Sequence, residues 1–131
     1  MRIGELAASC DCPVETIRYY EKIGLLPPPL RLANGYRSYD TKHRKWLKFI
    51  LRSRALGFSQ EEVRRLTDVA HRQTPDCGVV HDLLQEHVDD VKKRVRELKR
   101  MEKALLRLKD RCQDGTLHDC PVIDELMASE S

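Results

Sequence analysis

Five cysteines punctuate the chain, at positions 10, 12, 77, 112 and 120. Thiolates are soft ligands for soft cations and are also the groups that oxidise to disulfides, so their spacing decides which chemistry is open. Cys112 and Cys120 flank a short stretch containing Gly115 and His118, a spacing that lets two thiolates wrap one ion. Cys77 stands about 35 residues before Cys112. If the intervening stretch is one straight helix, roughly 50 Å separates its ends at 1.5 Å per residue. The three thiols then cannot hold one ion within a single chain. In an antiparallel dimer, however, Cys77 of one protomer lies beside Cys112 and Cys120 of the other. That predicts two identical sites per dimer, each completed across the interface. The plainer reading is that these are small buried apolar residues, since free cysteine packs well. Cys10 and Cys12 form a Cys-x-Cys pair in a turn and read as structural.

Three sulfurs without a clear fourth ligand favour Cd(II), Pb(II) or Hg(II). Zn(II) prefers a tetrahedral fourth ligand. His118 is the candidate to supply it, although a loop histidine is more often merely solvated. Two thiolates alone would suit linear Cu(I). His81 and His87, with Glu86 or Asp90, could form a secondary site, but a polar helix face is the better account of them.

The elements that must position these groups follow from periodicity. Ile3, Leu6 and Ala7 share one helical face, Asp11-Cys12-Pro13 breaks the helix, and a second helix runs from about Val14 to Ile23. Two short helices joined by a tight turn read as a helix-turn-helix. Pro27-Pro28-Pro29 gives a stiff exit, and Asn34-Gly35 marks a small hairpin that carries Arg31 and Arg37. A basic helix from about Thr41 to Leu56 follows and stops at Gly57. Ser59 to Glu62 fits a capping box that opens the next helix, with Val63 and Leu66 inward. From Gly78 to about Arg111, Leu84, Val88, Val91, Val95, Leu98, Met101, Leu105, Leu108 and Cys112 recur in steps of three and four. A narrow apolar seam on a charged helix signals a coiled-coil partner, most simply a second copy of the chain. After a loop, Pro121 opens a last short helix. The expected architecture is mainly α: a winged helix-turn-helix domain (1–74), a long antiparallel coiled-coil dimerisation helix (75–111), and a C-terminal metal-binding loop with a short helix (112–131).

Composition agrees with that division. Apolar residues make up 40% of the 131 and charged residues 34%, which suits charge-covered helices. Residues 1–74 carry 14 Lys/Arg against 8 Asp/Glu, and residues 75–131 carry 10 against 13. A basic first half points to a polyanion as its partner. No apolar run is long enough to span a membrane, and no export signal opens the chain, so the thiols are expected to be reduced and the protein cytoplasmic. No nucleophile–base pair or phosphate loop suggests an enzyme.

Within the basic half, Thr16, Arg18, Tyr19 and Tyr20 would offer hydroxyl and guanidinium donors to DNA in the major groove. The ring of Tyr20 is alternatively part of the core. Arg31 and Arg37 on the wing, with Tyr36 beside them, would hold flanking phosphates. The stretch IGELA…PVETIRYYEKIGLLPPP…NGYRSYD…LKFILRSRALGFSQEEVRRL strongly resembles the MerR family of bacterial transcriptional regulators, and the resemblance covers the whole chain. It implies a homodimer on double-stranded promoter DNA whose shape changes when effector binds. The dimer then untwists and bends a long promoter spacer until RNA polymerase can use it, so specificity sits partly in DNA deformation.

The resemblance also implies that Cys77, Cys112 and Cys120 are the metal ligands, one ion per subunit. Cysteine at the start of the long helix marks the family's sensors of divalent ions, where copper and gold sensors have serine. The seven residues between Cys112 and Cys120 resemble the copper sensors instead. The context DCGVV.DLL.EHV around Cys77 resembles the cadmium/lead group, which favours Cd(II) or Pb(II), with Hg(II) and Zn(II) next. The rival functions are a Cu(I)-responsive regulator, a thiol redox sensor that pairs Cys112 with Cys120, and a dimeric metal buffer. A buffer would need neither the arginine-bearing wing nor the IRYYE helix.

Overall fold

The computed structural model describes residues 1–72, 76–112 and 120–128. Its elements are α1 (Ile3–Cys10), α2 (Val14–Lys22), β1 (Leu30–Arg31), β2 (Arg37–Ser38), α3 (Thr41–Ala55), α4 (Gln60–Ala70), α5 (Cys77–Arg111) and α6 (Pro121–Met127). Residues 1–83 form one compact unit and residues from 84 onward a second.

In the first unit α1 buries Leu6 and Ala7, and α2 buries Ile17 and Tyr20, one helical turn apart. The turn between them depends on Asp11, which caps α1 in the left-handed region at φ 54°; its N–H reaches the carbonyls of Ala7 and Ala8. Aspartate is one of the few side chains that tolerates this conformation. After α2, the N–H groups of Leu25 and Leu26 both donate to the Tyr20 carbonyl, at 3.0 and 3.1 Å, and both leucines are buried.

The wing pairs β1 antiparallel to β2, with Leu30 opposite Ser38 and Arg31 opposite Arg37. Its turn differs from the Asn-Gly geometry expected of it. Gly35 is left-handed at φ 83°, but Asn34 is not. The Gly35 N–H donates to the Leu32 carbonyl and the Leu32 N–H to the Tyr36 carbonyl, both at 2.9 Å. That is a three-residue connection in which a β-turn is followed by a left-handed glycine. Asn34 serves it through its side chain, accepting from the Tyr36 N–H at 3.1 Å.

α3 starts with a capping box in which Asp40 accepts from the N–H groups of Lys42 and His43. The buried His43 ring accepts from the Asp40 N–H at 3.1 Å through Nδ1 and lies 2.9 Å from the Pro28 carbonyl through Nε2. A carbonyl can only accept, so Nε2 carries a proton. One ring thereby ties the proline segment to the start of α3. Gly57, at φ 91°, ends the α3 turn, and the Ser59–Glu62 capping box opens α4 as expected. Leu47, Ile50, Phe58, Val63 and Leu66 complete a core that also holds Tyr39.

α5 runs unbroken for 35 residues, which makes it about 50 Å long. Its seam is solvent-exposed in the single chain: Leu84, Val88, Val91 and Val95 are each over two-fifths exposed, and Leu98, Met101 and Leu105 more so. Pro121 sits at the start of α6, and an Arg111–Glu125 ion pair ties that helix to the end of α5. No described helix is long and apolar enough to cross a membrane.

Candidate DNA interface and thiolate sites

The outward face of α2 and the wing carry the polar groups that sequence reasoning singled out. Arg18 and Tyr19 are exposed, Thr16 is half-buried, and Arg31, Tyr36 and Arg37 are exposed on the hairpin. Tyr20 is a correction to the expected contact set. It lies three residues after Ile17, on the inward stripe of α2, and is 7% exposed, so its ring is core.

Tyr19 is tied to a residue that sequence reasoning missed. Its hydroxyl accepts from the Gln60 amide Nε2 at 2.8 Å and lies 3.1 Å from Oε1. The first residue of α4 therefore orients a hydroxyl on α2. Arg64 adds a second tie between these helices by donating to the Ile23 carbonyl at 2.5 Å. The separation of 41 residues left no local signal for either contact.

Tyr39 was also missed, although it fixes the wing to the helix pair. It is 1% exposed, and its hydroxyl donates to Glu21 Oε1 at 2.5 Å. Burial, then the bond and charge of Glu21, hold its phenol well above the usual range, so it stays a donor. Its backbone is paired with Met1, Tyr39 N–H donating to the Met1 carbonyl at 2.7 Å.

All five cysteines are free thiols. Burial, followed by the neighbouring Cys10 and Asp11, pushes the Cys12 thiol up, which disfavours its thiolate. Cys10 and Cys12 both pack against the core, in line with a structural role. Cys77 is the first residue of α5 and exposed; Cys112 follows its last turn and is exposed; Cys120 caps α6 and is half-buried. The Arg111–Glu125 pair holds the two helix ends that carry Cys112 and Cys120. Because Cys77 and Cys112 stand at opposite ends of one unbroken helix, they cannot share an ion in one chain. His118 lies outside the described residues. The donor set, three free thiols placed at helix termini, suits a soft metal ion.

A helix-turn-helix, an arginine-bearing wing and a long seam helix define a transcription regulator of the winged helix-turn-helix class. Residues 1–69 match the family described as MerR HTH family regulatory protein, and residues 44–108 match the family described as MerR, DNA binding. The chain belongs to the MerR family; it is a regulator and not an enzyme. Among its relatives, the mercuric resistance operon regulatory protein of Bacillus cereus is 40% identical over 127 residues, 96% of each chain. A transcription regulator of Ralstonia metallidurans solved with lead(II) is 38% identical, with TM-score 0.85 over 96% of this chain and 98% of that one. The regulator of Bacillus megaterium solved with mercury(II) is 36% identical, with TM-score 0.77 over 98% of this chain and all of that one.

Proposed function

We propose that the protein is a homodimeric, metal-responsive regulator that activates metal-resistance or efflux genes when a soft divalent ion binds. The ion, Cd(II) or Pb(II) first and Hg(II) or Zn(II) next, is held by Cys77 of one protomer with Cys112 and Cys120 of the partner subunit, one ion per subunit. The observation that carries this reading is the placement of free thiols at the two ends of one unbroken helix whose apolar seam is exposed. A second copy that covers the seam in antiparallel fashion brings opposite ends together and completes both sites. The relatives solved with lead(II) and mercury(II) support a soft ion.

DNA is held through Thr16, Arg18, Tyr19, Arg31, Tyr36 and Arg37, and the working compartment is the reducing cytoplasm. Both free and metal-loaded dimers bind promoter DNA, and the ion biases the dimer toward the shape that distorts the promoter spacer for RNA polymerase. To move such an equilibrium from about 1:99 to 99:1, the ion must favour the active shape by roughly 5.5 kcal/mol. Thiolates drawn from two subunits would supply this, because a change of dimer shape would move Cys77 of one protomer relative to Cys112 and Cys120 of the other.

The experiment is a metal titration of reduced protein on its promoter, reading run-off transcription and thiolate–metal absorbance together. Activation by a divalent ion at one per chain, lost in Cys77→Ser, is expected. The second reading is a Cu(I) sensor that uses Cys112 and Cys120 alone, favoured by the seven residues between them. Activation by Cu(I) only, indifferent to Cys77→Ser, would establish it. Activation by oxidant without metal would instead establish a Cys112–Cys120 disulfide sensor.

A further inference from the structure

A cleft of about 250 Å³ opens between the start of α1, the outer face of α2 and the wing, lined by Arg2, Ile3, Arg18, Tyr36, Arg37 and Tyr39. Three of these six side chains are guanidinium cations, each from a different element of the fold. We propose that this cleft is a clamp for one phosphate of the DNA backbone and that Arg2 is its third guanidinium. The proposal rests on the reading of α2 and the wing as the DNA interface and adds to it a residue outside both elements.

Arg2 occupies an unusual place for a cation. It is the N-cap of α1, next to the positive end of that helix, and its side chain makes no capping bond. A positive charge there is disfavoured by the helix dipole. Nor does a carboxylate offset it: among the described residues no ion pair involves Arg2, Arg18 or Arg37. Its guanidinium instead lies 5.7 Å from the centre of the Tyr36 ring, which aims it at the wing. Arg18 and Arg37 line the same cleft, together with Tyr39. Glu21 is engaged by the Tyr39 hydroxyl.

Converging unpaired guanidiniums are the standard way to hold a phosphate, through charge-assisted and forked hydrogen bonds. The cleft also joins α2 to the wing. A phosphate bound there fixes the angle between the two, so the duplex backbone itself would set the wing's position. A backbone phosphate is favoured over a free anion because two of the three arginines belong to the two elements that face the duplex.

The test is DNA affinity as a function of salt, by fluorescence anisotropy, on a duplex of arbitrary sequence, for wild type, Arg2→Gln, Arg2→Lys, Arg18→Gln and Arg37→Gln. A lost phosphate contact lowers the slope of log K against log[salt] by about 0.9, so Arg2→Gln should lower it by about 2 per dimer. Arg2→Lys should restore most of that slope. A merely structural Arg2 would not behave so, because its contribution to α1 is its carbonyl, which accepts from the Glu5 and Leu6 N–H groups and is retained in both variants. A slope lowered by Arg18→Gln and Arg37→Gln but not by Arg2→Gln overturns the clamp and leaves the DNA interface standing. A slope unchanged in all of them overturns the interface as well. If inorganic phosphate at constant ionic strength binds wild type but not Arg2→Gln and leaves wild-type affinity for the duplex unchanged, the cleft takes free phosphate away from the DNA, and the backbone clamp is refuted.

Discussion

Replacing Leu98 by alanine tests whether the seam of α5 is an interface between two copies. Leu98 is 60% exposed in the single chain. Full burial of a leucine side chain is worth roughly 1.5–3 kcal/mol, so covering the part still exposed contributes about 1–2 kcal/mol per copy. A symmetric dimer loses this twice, about 2–4 kcal/mol, which corresponds to an association constant weakened by roughly 30- to 1000-fold. Sedimentation equilibrium on the reduced, metal-free protein measures that constant directly. Leu32→Ala is the control: Leu32 is 52% exposed but belongs to the wing and not to the seam, and its loss should leave association unchanged. Helicity at high protein concentration should be retained, because Leu98 belongs to no core within the chain. Equal association constants for Leu98→Ala and wild type would refute the seam as the dimer interface, and the cross-subunit thiolate site would fall with it.

Two further perturbations probe the DNA-binding unit. Gln60→Ala frees the Tyr19 hydroxyl from its 2.8 Å partner; if that bond orients Tyr19 for DNA, affinity should fall about 5-fold, for roughly 1 kcal/mol. Because Gln60 would act through Tyr19, Tyr19→Phe combined with Gln60→Ala should cost no more than Tyr19→Phe alone, and additive losses would show independent roles. Tyr39→Phe addresses pH. The folded-state pKa of Tyr39 is raised above its ordinary value, so its contribution to stability is complete below about pH 10 and is lost as pH rises beyond that. Urea titrations along a pH series should therefore show the alkaline decline of wild type flattened in Tyr39→Phe, and an undiminished decline would place its cause elsewhere.

Local chemistry made much of the fold legible. The Ser59–Glu62 capping box, the shared helical face of Ile3, Leu6 and Ala7, and the long uninterrupted seam each encode an element within a few residues of itself. What local chemistry could not show were contacts made across the chain. Tyr39 sits at the end of an exposed-looking hairpin, yet its phenol is buried because Glu21, 18 residues earlier, waits for it. Asn34 resembled a left-handed turn residue, but its carboxamide could satisfy the Tyr36 N–H while Gly35 alone took the positive φ. Tyr20 had the chemistry of a DNA contact, and only the inward stripe begun by Ile17 decided against it. For the proposed thiolate site, cysteines at helix ends are chemically conspicuous and so nominate themselves as ligands. The metal was not legible, since three sulfurs satisfy several soft ions alike.

The pairing of Arg31 with Arg37 across the wing gives the hairpin an ionic character of its own. Like charges directly opposite one another work against a strand pair, and these strands are only two residues long. The free wing is thus a hairpin pushed apart from within, and dissolved salt relieves it by screening, even as the same screening weakens its attraction to a polyanion. Ionic strength therefore acts on the wing in opposite senses, firming its fold while loosening its grip. A polyanion laid against the wing would do both at once: its negative charge would neutralise the two arginines that repel each other, so engagement and consolidation of the hairpin would be a single event.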